Sequence, residues 1–327
     1  MPSKQRTITI LCSIFIVFNI IWKTTVLKNT IQKEVNVKNA SYRDIGDNKF
    51  IFGLHCKQTN LSENVTIVTS FFNIGTFRKG APSLYYSPEK YYKWMESYRS
   101  MFNPVIAFFD NDTVMKYFQG IRQPLGENYT KTFLVQRSDM WAFNLRESIS
   151  RIFKKPGYPK YHPNTVVPEY SCLMHAKYEA IFLATEANFF CTQYFAWIDI
   201  GYFRKTSMSP FEIWIPPNYN SSLVAYTEIS SRKPELDPKG IVYSNAVWVA
   251  GGFFIGEVNV IRQWAETYMR ATEMMIRQYE LISTDQQVLY VLGNSGQMDV
   301  RIQTYRIRGN WFYLGYMCAG EGKKRHL

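Results

Sequence analysis

From residue 65 onward, apolar positions fall alternately in short continuous runs and in helical stripes. Residues 65–72 are β-branched and aromatic and predict a strand, which opens into the polar loop Asn73-Ile74-Gly75 with Arg78 and Lys79 beyond it. Ser87-Pro88-Glu89 predicts a helix start, with Tyr91, Trp94, Met95, Tyr98, Met101 and Phe102 recurring at helical spacing until Asn103-Pro104 stops them. Residues 105–109 predict a second buried strand ending in a carboxylate, Asp110, before a short helical piece around residues 114–118. A third strand is predicted over residues 133–136, and Ser138-Asp139 is expected to cap a helix that buries Trp141, Leu145, Ile149 and Ile152.

Prolines at 156, 159, 163 and 168 exclude a helix or central strand and mark a surface excursion. A helix is predicted over residues 170–187, where Leu173, Lys177, Ile181 and Ala184 recur every three to four positions. It leads into the run Phe195-Ala196-Trp197-Ile198, short enough for a strand buried on both faces, which delivers Asp199 at its end. In open α/β sheets ligands gather at the carboxyl ends of strands, so Asp199 is a candidate for a metal ion or polar substrate. The alternative is a carboxylate that caps a turn. Gly201 allows the backbone to turn or to approach a ligand, and Arg204 adds a fixed cation nearby.

Beyond a proline-bearing loop, residues 223–227 and 246–256 predict strands, the second containing Gly251 and Gly252. Paired glycines inside an apolar strand suggest a bulge, a close approach by a ligand, or tight helix packing. A helix over residues 258–279 follows, and Ser283-Thr284-Asp285 opens another, where a capping threonine ahead of an acidic first turn is ordinary.

At 327 residues, 46% apolar and 17% aromatic, the chain can bury a large core. The formal net charge is +12, yet the basic residues are scattered, with one tight cluster at Lys323-Lys324-Arg325. No stripe or module for nucleic acid is visible, and dispersed positive charge fits an anionic small substrate such as a nucleoside diphosphate. Motifs of the common nucleotidases, dehydrogenases, metalloproteases and serine hydrolases are absent.

Residues 7–22 are uncharged and mostly apolar, with Lys4 and Arg6 before them and Lys23 and Lys28 after. They predict an uncleaved transmembrane signal-anchor over residues 7–27, after a cytoplasmic tail at 1–6 and ahead of a polar stem at 28–63. Six N-x-S/T acceptors, at Asn39, Asn60, Asn64, Asn111, Asn128 and Asn220, point to a lumenal body over residues 64–327, hence a single-pass type II protein of the Golgi or endoplasmic reticulum. Cys56, Cys172, Cys191 and Cys318 are compatible with two disulfides in any of three pairings, or with buried thiols.

Taken together, residues 66–75, Ala107-Phe-Phe-Asp110, Met140-Trp141-Ala142, Lys177 ahead of residues 195–201, Gly251-Gly-Phe-Phe-Ile-Gly256 and Thr284-Asp-Gln286 resemble the HtrL/YibB family over roughly residues 64–316. The resemblance implies a single α/β domain of the glycosyltransferase-A type with a mostly parallel central sheet. It also implies transfer of a sugar from a nucleotide-sugar donor to a glycan or glycoprotein acceptor. Proteins of that fold hold Mn²⁺ or Mg²⁺ against the donor diphosphate through a D-x-D motif. The resemblance assigns the metal to Asp199 and the donor to Asn73, Arg78, Asp110, Lys177, Arg204, Gly251 and Gly252. Asp285 would take the acceptor's proton. Neither Trp197 nor Gly201 supplies the second carboxylate of D-x-D, so either Asp110 completes the metal site or Arg204 and Lys205 replace the metal. A carbohydrate-binding protein of the same fold without turnover is the alternative function.

Overall fold

A computed structural model of the chain describes residues 61–204, 209–296, 301–307 and 309–320. The expected anchor and cytoplasmic tail, the expected stem up to residue 60, and Lys205 lie outside the described residues, among which no helix is long and apolar enough to cross a membrane; the last residues of the expected stem, Ser62 and Glu63, already belong to the first strand.

The first strand, β1 (Ser62–Phe71), lies in the interior of the sheet. Its period-2 pattern sends Val65, Ile67 and Phe71 into one apolar cluster, while Thr66 and Val68 are buried on the opposite face. Burial on both faces is what a mostly parallel sheet covered by helices requires. The chain then forms a small hairpin, β2 (Phe77–Arg78) with β3 (Tyr85–Tyr86), and a helix α1 (Pro88–Met95) with proline in its first turn. Strand β4 (Val105–Phe109) pairs parallel to β1, and β5 (Thr130–Leu134) pairs parallel to β4. Between them runs α2 (Asp112–Arg122), whose N-terminus is closed by the Asn111 side chain accepting from the Val114 N–H at 3.1 Å.

Here the chain reverses. Two short helices, α3 (Trp141–Asn144) and α4 (Arg146–Phe153), and a long one, α5 (Pro168–Ala187), return it to the other side of β1, where β6 (Thr192–Ile198) pairs parallel. The second half adds β7 (Val224–Glu228), α6 (Pro238–Tyr243), β8 (Val249–Glu257), α7 (Val258–Met274), α8 (Asp285–Ser295), β9 (Ile302–Tyr305) and α9 (Tyr313–Cys318). The sheet runs β5-β4-β1-β6-β8-β7-β9, and β8 alone is antiparallel to its neighbours. The described residues thus form a single α/β domain with a mostly parallel central sheet.

Two expectations are corrected. Ser138 and Asp139 do not cap a helix: they form a 3₁₀ turn, and the N–H groups of Trp141 and Ala142 are instead taken by the Glu179 carboxylate of α5, at 2.7 and 3.1 Å. A tertiary carboxylate has replaced the local cap, and it also meets the positive end of the helix dipole. Two disulfides among the four cysteines do not form either. Cys172 and Cys318 are free thiols, each closed inside the core, and burial pushes the Cys172 thiol up to about 12. Cys191 is disulfide-bonded, and its partner lies outside the described residues.

Candidate functional site

The strand order reverses between β1 and β6: β1, β4 and β5 build outward to one side, and the chain resumes on the other. At such a switch point the connections after the two strands part and leave a crevice beyond their carboxyl ends. A cavity of about 130 Å³ lies there, lined by residues 70–75 at the end of β1 and beyond it, and by Trp197, Asp199, Ile200, Gly201 and Arg204 of β6 and its exit.

Asp199 leaves β6 with its backbone N–H donating to the Gly252 carbonyl of β8 at 2.9 Å. Trp197 and Asp199 are two residues apart, so their side chains share a sheet face, and the indole Nε1–H donates to Asp199 Oδ1 at 2.8 Å. The same oxygen lies 3.1 Å from the ammonium of Lys177 on α5. Asp199 Oδ2 has no hydrogen-bond partner among the described residues, and the side chain keeps 41% of its surface exposed.

Helix α5 explains how a lysine comes to lie beneath the cavity. It is buried nearly all round and packs against β1, β6 and α7, so the polar side chains it carries must find partners inside the fold. His175 contacts the Tyr268 hydroxyl through Nδ1 at 2.7 Å, and burial lowers its pKa to about 3. Lys177 is 3% exposed and meets three oxygens: Gly251 O at 3.0 Å, Asp285 Oδ2 at 3.1 Å and Asp199 Oδ1 at 3.1 Å. Burial disfavours its ammonium, but the two carboxylates outweigh burial and hold its pKa above the usual lysine value. Asp285, 2% exposed, stands in the first turn of α8 behind Lys177. Burial raises its carboxyl above the usual range, against the pull of Lys177.

The rest of the lining is aromatic and basic. Phe77 and Tyr86 stack across the hairpin with centroids 5.9 Å apart, and Tyr91, Trp94 and Tyr170 continue the wall. Lys79 donates to the Tyr170 hydroxyl at 2.6 Å. The Arg204 guanidinium lies between the rings of Trp94, at 5.2 Å, and Phe312, at 4.9 Å, and donates to the Gly201 carbonyl at 3.0 Å. Gly201 is needed because a Cβ there would fall 2.6 Å from Trp94 Cε3.

Of the residues singled out in the sequence, Asn73, Lys177, Asp199 and Arg204 line the cavity. Arg78, Asp110, Gly251, Gly252 and Asp285 do not. Asp110 is 9% exposed, held by Arg137, and accepts the Asn73 backbone N–H at 3.1 Å; it shapes the loop after β1 rather than joining Asp199. The same loop is tightened by Asn73 Oδ1 accepting from the Gly75 N–H at 3.0 Å. Gly251 and Gly252 lie in β8 just beyond its register with β6, where the pairing with β7 shifts, and touch the site from behind. Sequence reading placed Lys79 beyond the loop after the first strand without giving it a role, and passed over Tyr170 and the Trp197–Asp199 contact. The two-residue spacing of Trp197 and Asp199 on a strand was the available signal for the last; no local signal brings Lys79 to Tyr170, which are 91 positions apart.

Residues 63–319 match a family described as "Bacterial protein of unknown function (HtrL_YibB)". A relative, Protein HtrL of Escherichia coli (strain K12), is 24% identical over 273 residues, covering 78% of this chain and 92% of the relative. The matched span takes in every element from β1 to α9 and all the cavity residues, and the chain belongs to the HtrL/YibB family.

Proposed function

We propose that the protein is a glycosyltransferase of the glycosyltransferase-A type, moving a sugar from a nucleotide-sugar donor to a glycan or glycoprotein acceptor in the secretory pathway. The observation that carries this reading is the cavity at the β1–β6 switch point, where an aromatic wall, the cations Lys79, Lys177 and Arg204 and one carboxylate oxygen converge. The wall of Phe77, Tyr86, Tyr91 and Trp94 suits the flat face of a base or sugar. Lys79 and Arg204 each spend one hydrogen bond within the described residues and keep further donors for phosphate oxygens, neutralising charge as a diphosphate leaves. Asp199 Oδ2 takes a sugar hydroxyl.

The Mn²⁺ or Mg²⁺ that the family resemblance implies does not fit as a resident ion. Asp199 is the single carboxylate of the lining, and among the described residues no group of three or more His, Cys, Asp or Glu side chains could hold a metal. A cation entering with the donor diphosphate would have Asp199 Oδ2 alone among the cavity carboxylates. Leaving-group charge is therefore assigned to Lys79 and Arg204.

A panel of nucleotide sugars in a thermal-shift assay, with Mn²⁺ and with chelator, tests the reading. A rise in Tm with one donor in both conditions, followed by release of nucleoside diphosphate on adding acceptor, is expected. No shift with any donor overturns it. The lone carboxylate also suits a carbohydrate-binding protein without turnover, for which glycans would raise Tm and no nucleotide would be released.

A further inference from the structure

The structure assigns Lys177 and Asp285 to a buried strut that sets the position of Asp199, so that Asp285 acts on the cavity through Lys177 and takes no proton from a substrate. An ammonium has three protons. Around Lys177 Nζ stand three protein oxygens within 3.1 Å, from Gly251, Asp285 and Asp199, which leaves none of its protons for a ligand phosphate. Two of these partners are fixed from behind. Gly251 is in β8, paired with β6, and Asp285 is in the first turn of α8, whose start is closed by the reciprocal box of Thr284 and Gln287. The third, Asp199, is the exposed end of the chain of contacts. Its Oδ1 is claimed twice, by Lys177 and by the Trp197 indole, and this double hold leaves Oδ2 as the oxygen turned to other partners.

The placement of Asp285 argues against a proton-accepting role. At 2% exposed it has no cavity surface, and its Oδ2 is engaged by the ammonium. A carboxylate buried with a lysine in this way survives because each charge answers the other, and removing one alone leaves an unpaired buried charge. The strut itself is read without any ligand; only the use that Asp199 makes of it rests on the glycosyltransferase reading.

The test uses the full chain labelled with ¹⁵N at tryptophan. The Trp197 indole N–H resonance is assigned with Trp197→Phe, and its free position is set by Asp199→Ala. Asp285→Asn keeps an oxygen toward Lys177 and is expected to leave the resonance at its native position, while Asp285→Ala and Lys177→Met move it to the position seen in Asp199→Ala. If Asp285→Ala does not fold, the double variant Lys177→Met/Asp285→Asn removes the pair without stranding a charge, and the same displacement is expected from it. A native resonance in Asp285→Ala, Lys177→Met or the double variant overturns the strut.

Titrating uridine, guanosine and adenosine diphosphates into the native protein reads the other question. Where transfer is measurable, Asp285→Asn keeps the native rate within about threefold, whereas a general base would lose roughly 10²- to 10⁴-fold in both Asn and Ala. A loss of that size in Asp285→Asn overturns the positioning role. If the resonance behaves as expected and no nucleotide perturbs it, the donor-site reading fails and the strut stands.

Discussion

A Cβ placed on Gly251 would lie 1.8 Å from Oδ2 of Asp285, far closer than a carbon atom can approach a carboxylate oxygen. The absent side chain on β8 is the space into which the first turn of α8 puts its acid. The paired glycines lie where the β7–β8 register shifts between Tyr226 and Glu228, opposite residues 250–253, as the expected bulge would, and at Gly251 the absent side chain also admits an intramolecular approach of helix to strand.

Gly251→Ala is expected to destabilise the protein by about 3 kcal/mol or more, since the methyl must expel Asp285 from its contact with buried Lys177. Gly252→Ala, whose Cβ would meet Tyr202 at 3.3 Å and Asp199 Oδ2 at 3.4 Å, is expected to cost about 1 kcal/mol or less. Urea denaturation of the two variants checks the difference; equal midpoints would refute it.

Arg204→Ala and Lys79→Ala are each expected to weaken nucleoside diphosphate binding roughly 10- to 100-fold, the range for a charged hydrogen bond, with midpoints of unfolding nearly unchanged. Arg204→Lys recovers little, because an ammonium loses the planar stacking between Trp94 and Phe312. Chelator leaves binding unaltered. Isothermal titration decides; inhibition by chelator together with native affinity in Arg204→Ala would return the charge to a metal ion.

Glu179 predicts a pH dependence of stability. Burial raises its carboxyl from 4.5 to about 7, although the Trp141 and Ala142 N–H groups pull the other way. Between those values the folded protein holds a proton that the unfolded chain has released, so this group's contribution falls as pH rises through the window, by about 3 kcal/mol in all. His175, lowered to about 3, has the opposite sign: stability tied to it is complete above 6.5 and is lost as pH falls. Glu179→Gln is expected to gain on the native protein progressively from pH 4.5 to pH 7. A constant offset in parallel chemical denaturations at both ends of the window would rule the assignment out.

The asparagines of four N-x-S/T motifs, Asn64, Asn111, Asn128 and Asn220, are all exposed. For protein made in eukaryotic cells, glycosidase digestion is expected to increase gel mobility while the protein stays with the membrane fraction. Alkylation of the denatured, unreduced chain is expected to label Cys172 and Cys318 and to spare Cys191 until reductant is added. An unaltered band, or labelled Cys191 before reduction, contradicts the lumenal reading or the disulfide respectively.

Much of this architecture was legible in one dimension because local rules set it. The apolar run of β4 was bounded correctly at Val105 and Phe109, since a short run buried on both faces between Asn103-Pro104 and Asp110 has few other uses. The helix that opens at Asp285 was legible from Thr284, because its capping box is built within four residues. Asp199 was found for a similar reason: a charge that ends a buried strand is conspicuous, and strand ends are where open sheets leave room.

Contacts between distant segments were decided only when the sheet formed. Asp110 and Asp285 look alike along the chain, as acids at element ends, yet one is tied to Arg137 under the loop after β1 and the other is sealed behind Lys177. The cap of α3 could not be read locally, for its acceptor, Glu179, comes from a helix 38 positions away from Trp141. Periodicity along a chain records which face a residue occupies, and so the amino-acid sequence by itself determined the strands, the helices and the acid at the end of β6. Which partner stands opposite that face depends on strand order and helix docking, so the tertiary structure alone decided that Lys177 would be spent on protein oxygens and that Lys79 and Arg204 would be left to face the cavity.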